Sequence, residues 1–118
     1  MTLAYPPSVN HYWRMARGRI YISAKGQEYR RKVQAAVIIG NLLHGDKTLP
    51  LQGPLEMWLS VEPPDKRERD LDNVNKALWD ALQKAGVYAK DFQIAKYHVE
   101  RMPAGAGKVI VRLQEMPK

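Results

Sequence analysis

Two aspartates, Asp70 and Asp72, stand two residues apart, straight after the charged run Asp65-Lys66-Arg67-Glu68-Arg69. A strongly periodic stretch begins there and contains Lys76; a third carboxylate, Asp91, follows it. Such a set can do two things. It can start a helix: an N-cap Asp contributes about 1 kcal/mol, and a first-turn carboxylate about 0.3–1 through the helix dipole. Asp72 and Lys76, at i and i+4, would add about 0.3 kcal/mol. Alternatively it can hold a hard cation, because Mg²⁺ takes oxygen ligands, often carboxylates and water. A metal on Asp70, Asp72 and Asp91 would make water nucleophilic toward a phosphodiester. Lys76 would then stabilise charge developing on the phosphate.

Other chemistries fit less well. Cysteine is absent, which excludes thiolate sites and disulfide frameworks. The three histidines, His11, His44 and His98, show no ligand spacing. A haloacid-dehalogenase-type phosphatase carries its Asp-x-Asp after a buried strand, whereas here Pro63-Pro64 and a charged run precede it. A glycosyltransferase needs a nucleotide-binding domain that 118 residues hardly accommodate. No Gly-rich phosphate loop is present, so no nucleotide cofactor is expected.

The elements that must position these residues can be read from pattern. Val74, Ala77, Leu78, Ala81, Leu82 and Ala85 form one apolar stripe, predicting a helix over about 71–85. Gly86 sits where a left-handed cap belongs. On that helix Asp72, Lys76, Trp79 and Gln83 share the face opposite the stripe. Leu55, Met57, Leu59 and Val61 alternate as one face of a strand. Further strands are expected over about 93–101 and 109–113, with a short one ending near Pro6-Pro7. The stretch 12–22, turning at Gly18, reads as a hairpin or a mobile basic loop. Ser23 caps a second helix over about 24–43, with Tyr29, Val33, Ala36, Val37 and Leu43 as its stripe. Gly45 to Pro50 reads as a loop. From Ala35 to Leu43 the helix is apolar nearly all round, which suggests burial on a second side. The expectation is an α+β fold: one domain over 1–118, a single mixed β-sheet of about four to five strands, and two main helices packed on it.

Charge adds a partner class. The formal charge is +7, and residues 11–32 hold seven cations against one anion. That concentration would attract a phosphate backbone. No apolar run approaches the ~20 residues of a membrane span, and the N-terminus lacks the pattern of a signal peptide. A cytoplasmic location without membrane association is expected.

Tyr5-Pro6-Pro7-Ser8-Val9-Asn10, Arg17-Gly18-Arg19, the 23–30 segment, Arg69-Asp70-Leu71-Asp72-Asn73 with Lys76, and Ala85-Gly86-Val87 before Asp91 together resemble the RusA family of Holliday-junction resolvases. The match runs in order over nearly the whole chain. The resemblance implies a small homodimeric endonuclease, often phage- or prophage-encoded, acting in DNA recombination and repair. It implies dependence on Mg²⁺, with Mn²⁺ able to substitute, and resolution of four-way DNA junctions by paired symmetric nicks. Asp70, Asp72 and Asp91 fall on the family's metal-binding positions, Lys76 on its catalytic lysine, and Arg69 on a basic position beside the site. Arg14, Arg17, Arg19 and Arg67 are the other expected DNA contacts. The 35–43 stretch is a candidate for part of the dimer contact. The competing readings are a non-catalytic basic DNA-binding module of phage origin, with the aspartates as helix caps, and a basic phage structural protein.

Overall fold

Alternation over Leu55–Glu62 builds the central strand, because every second side chain of a strand faces the same way. Leu55, Met57, Leu59 and Val61 are buried, while the residues between them stay partly open. The computed structural model describes residues 1–44 and 48–117, without the side chains of residues 42–44. Residues 45–47 of the loop expected over 45–50, Leu43's place on its stripe and the setting of the His44 side chain lie outside what is described. In chain order the elements are β1 (Thr2–Ala4), α1 (Val9–Tyr12), β2 (Trp13–Ala16), β3 (Arg19–Ile22), α2 (Ala24–His44), β4 (Leu55–Glu62), α3 (Asn75–Lys84), β5 (Ile94–Arg101) and β6 (Lys108–Glu115). Short 3-10 turns, Leu71–Val74 and Asp91–Gln93, precede α3 and β5.

The main sheet has the order β1-β6-β4-β5. β6 runs antiparallel to both β1 and β4, while β4 and β5 are parallel. A parallel pair needs a crossover, and α3 supplies it. The sheet is therefore mixed and four-stranded. The hairpin β2–β3 forms a separate two-stranded ribbon. This corrects the expectation of a single sheet: among the described residues the ribbon's strands pair only with each other.

The register aligns Met57 with Leu113, Leu59 with Val111 and Val61 with Val109, so one sheet face is continuously apolar. Ala77, Leu78, Ala81 and Leu82 of α3 and Tyr29, Val33 and Val37 of α2 join that core. Each fully buried aliphatic side chain there contributes about 1.5–3 kcal/mol. The other sheet face is open to solvent, and on it Trp58 stacks on His98 at 5.4 Å and lies under the Arg112 guanidinium at 4.6 Å.

The start of α2 and the end of α3 follow their sequences, whereas 71–74, expected as the first turn of α3, is a 3-10 turn. The Ser23 hydroxyl accepts a hydrogen bond from the Gly26 N–H at 3.0 Å, capping α2. Gly86 has φ +82° just after α3. Ala36 and Val37 turn inward on α2, whereas Ile38 and Ile39 are more than half exposed.

Candidate functional site

The charged run after β4 forms a loop organised by Asp65. Its carboxylate accepts the Arg67 N–H at 3.0 Å, Arg67 Nε at 3.3 Å and Arg69 Nη2 at 2.8 Å. The Arg67 N–H bond, opposed by desolvation and helped by both guanidinium charges, holds the Asp65 carboxyl below its usual range. Arg69 also lies over the Tyr5 ring at 5.7 Å, and its carbonyl accepts a hydrogen bond from Arg101 Nη2 at 2.7 Å. The loop and the Tyr5–Ser8 segment face each other across a groove of about 400 Å³. A wider cavity, about 830 Å³ between α2 and β6, is lined by none of the expected catalytic or DNA-contact residues.

Asp70 follows, in extended conformation at φ −77° and ψ 137°. It occupies the N-cap position of the 3-10 turn, and its carboxylate makes no capping bond. Its carbonyl accepts the Asn73 N–H at 3.2 Å. Leu71 packs against the core while Asp70 and Asp72 on either side of it are exposed. Lys76, on the first turn of α3, is exposed as well, and no ion pair joins it to Asp72 among the described residues. Of the helix-start reading, Asp72 does stand in the first turn, but among the described residues Asp70 makes no capping bond and Asp72 no ion pair with Lys76.

Asp91 lies at the other end of the helix. Its N–H donates to the Gln83 side chain at 3.1 Å, one residue before α3 finishes. Ten helical residues span about 15 Å. The connecting loop does not fold back to bring Asp91 beside Asp70 and Asp72. Among the described residues no three His, Cys, Asp or Glu side chains are grouped closely enough to hold a metal ion. The Asp91 turn is nonetheless firmly built. Gln93 accepts the Ala89 and Lys90 N–H groups at 3.0 and 3.1 Å and donates to the Leu51 and Gly53 carbonyls. The neighbouring Phe92 is 89% exposed.

Arg14, Arg17 and Arg19 are all exposed on the β2–β3 ribbon. The base of that ribbon is fixed to α3 by a network that pattern reading missed. Tyr12, fully buried, donates its hydroxyl to Asp80 Oδ2. Arg30 Nε and Nη2 reach the same oxygen at 2.9 and 2.7 Å. Burial, and then the bond to Asp80, push the Tyr12 hydroxyl well above the usual phenol range. For Arg30, burial pulls down but the oxygens of Tyr12 and Asp80 outweigh it, so its charge is held more firmly. The only signal in the sequence was Asp80 at i+4 from Lys76, which reads equally as a solvated polar face. Gly26 completes the joint: a Cβ there would collide with the Tyr12 carbonyl and with Ile22 Cγ1 at 2.7 Å.

The arrangement can therefore offer two exposed carboxylates and a lysine at one end of α3, a third carboxylate at the other, and a cationic ribbon anchored between them. No described helix is long and apolar enough to cross a membrane.

Known proteins resemble this chain over most of its length. The sequence model of a family described as Endodeoxyribonuclease RusA matches residues 4–114. A crossover junction endodeoxyribonuclease of Enterobacteria phage 82 is 45% identical over 107 residues, covering 91% of this chain and 85% of the relative. Proteins of the same name from Escherichia coli (strain K12) and Shigella sonnei (strain Ss046) are each 44% identical, with the same coverage.

Proposed function

The chain belongs to the RusA endodeoxyribonuclease family, and on that premise we propose that it cuts four-way DNA junctions in a divalent-cation-dependent reaction. The supporting observation is the set of charged side chains at the start of α3. Asp70 stands at an N-cap without a capping bond, and among the described residues no ion pair joins Asp72 to Lys76 one turn on. A carboxylate pair on an exposed helix start suits a hard, oxygen-preferring cation such as Mg²⁺, with Mn²⁺ able to replace it. Asp70, Asp72 and Asp91 would hold it, and when bound it would supply a Lewis acid and an activated water. Lys76 places a positive charge where the scissile phosphate or its leaving oxygen gains charge. Arg14, Arg17, Arg19, Arg67 and Arg69 supply backbone grip, which fixes orientation without reading sequence. Arg67 and Arg69 each give one side-chain nitrogen to Asp65, which leaves further guanidinium donors to turn toward phosphate.

The distance along α3 bears on how three carboxylates become one site. Within a chain, about 15 Å of helix separates Asp72 from the Asp91 turn. In a two-fold dimer the Asp91 end of one α3 can meet the Asp70–Asp72 end of its partner's, giving two equivalent sites. Two such sites suit the approximate two-fold symmetry of a four-way junction and yield paired nicks. The half-exposed Ile38 and Ile39 on α2 are the candidates for an apolar part of the contact between copies.

An Asp70→Asn variant tests the assignment. It should stop cleavage of a synthetic junction while junction binding survives or tightens, because a negative charge beside phosphate is removed. Normal cleavage by that variant would refute the metal-site reading.

A further inference from the structure

The β2–β3 ribbon carries two unlike faces. Its register pairs Trp13 with Ile22, Arg14 with Tyr21, Met15 with Ile20 and Ala16 with Arg19. Alternation therefore puts Arg14, Tyr21 and Arg19 on one face, and Trp13, Ile22, Met15 and Ile20 on the other. At the base, Trp13 and Ile22 pack against the protein core. Further out the same apolar face runs off the body: Met15 is 73% exposed and Ile20 70%. The turn between the strands has positive φ at both central residues, Arg17 at 52° and Gly18 at 72°. Such turns favour Asn-Gly or Gly-Gly, and a non-glycine side chain there costs of order 1 kcal/mol. Arg17 thus sits at the tip against local preference and adds a third guanidinium.

A directly opposed, exposed Met–Ile pair, with arginines on the ribbon's other face and at its tip, is poorly explained by folding. It buries nothing, and exposed apolar strand residues invite aggregation. The flanking charge selects the occupant. Seven cations against one anion over residues 11–32 suit a polyanion. A two-stranded ribbon fits a DNA groove, and DNA-deforming proteins insert Met, Ile, Leu or Phe side chains between base steps.

We propose that Met15 and Ile20 form an apolar wedge that enters the base stack at the branch point of a DNA junction, while Arg14, Arg17 and Arg19 hold the flanking phosphates. The inference rests on the reading of the chain as a junction nuclease and adds the residues that recognise the open centre. A branch point already has interrupted stacking, so the wedge meets less resistance there than in duplex, and selectivity for shape follows. The Tyr12–Asp80–Arg30 network and the Gly26 contact fix the ribbon base against α3, which keeps wedge and carboxylates in one frame.

The test compares the wild type, Met15→Ser/Ile20→Thr and the conservative Met15→Leu/Ile20→Val. The DNA is a junction with 2-aminopurine beside the branch point, in EDTA so that nothing is cut. The wild type and the conservative variant should raise the fluorescence, by unstacking the probe. The polar variant should leave it at the free-junction level, bind plain duplex with unchanged salt dependence, and lose about tenfold or more of its junction-over-duplex preference. A polar variant that keeps both signal and preference overturns the wedge, as does a wild type that gives no signal. So does a change in the size of the DNA-free protein, which would make the pair a contact between copies. Cleavage by the wild type in Mg²⁺, measured separately, tests the nuclease reading itself.

Discussion

Pairing an Asp70→Asn chain with an Asp91→Asn chain tests whether the carboxylates of one site come from two copies. One cation can be shared only by oxygens each about 2.1 Å from it, hence within about 4 Å of one another. Along α3 the two ends lie about 15 Å apart, so no side-chain rotation closes the gap. In a dimer with shared sites, the Asp70→Asn chain contributes an intact Asp91 to its partner, whose Asp70 and Asp72 are also intact. That heterodimer has one working site and one lacking both Asp70 and Asp91. Each homodimer has none. The assay uses the heterodimer, co-expressed with two affinity tags and purified through both, on a supercoiled plasmid that extrudes a cruciform. The wild type should linearise the plasmid by two opposed nicks. The heterodimer should give nicked circles at about half the wild-type initial rate, since one site of two survives, and little linear product. A heterodimer as inactive as both parents would refute the shared site and require a movement of the 86–91 loop instead.

Three further outcomes follow from the packing. Asp80→Ala leaves the half-buried Arg30 and the buried Tyr12 hydroxyl without their acceptor, and should cost about 1–3 kcal/mol in a urea titration; a loss within error would mean that the network contributes nothing. Gly26→Ala must displace the Tyr12 carbonyl or Ile22, and should destabilise by about 1–3 kcal/mol, with reduced junction affinity from the shifted ribbon; a wild-type Tm would contradict the close approach. Burial raises the hydroxyls of Tyr12, Tyr29, Tyr88 and Tyr97, the last to about 12. The unfolded chain loses these protons near pH 10, so stability is intact below that and falls as pH rises toward the folded-state values. Absorbance near 295 nm should then show four of the six tyrosines ionising together with loss of the fold; early ionisation of all six in folded protein would contradict their burial.

Much of the scaffold is legible in the sequence because its signals are local. The β4 alternation, the α3 stripe, Ser23 as a cap and Gly86 after α3 each depend on neighbours a few residues away. Strand order is not local: β4 pairs in parallel with β5 across α3 and antiparallel with β6, and no pattern along the chain specifies either partner. The ribbon's independence from that sheet is equally invisible, since a hairpin pattern does not say what its edges pair with. Three aspartates in one chain suggested one site. The chain's own geometry, a rigid helix between two of them and the third, is what separates them. Asp65 and Asp80 were unremarkable as letters; one holds two arginines and the other joins α2, α3 and the ribbon base through a single oxygen. Conversely, Asp70 looked like a cap and is not used as one.

The central claim is that the exposed carboxylates of this RusA-family chain make it a divalent-cation-dependent nuclease of branched DNA. The direct measurement maps incisions on an end-labelled four-way junction and on a duplex of the same sequence, with Mg²⁺ and with EDTA. The account predicts symmetric nicks in two opposed strands of the junction, only with Mg²⁺, and none in the duplex. Cleavage that persists in EDTA, or Mg²⁺-dependent binding with no incision of either DNA, would contradict it.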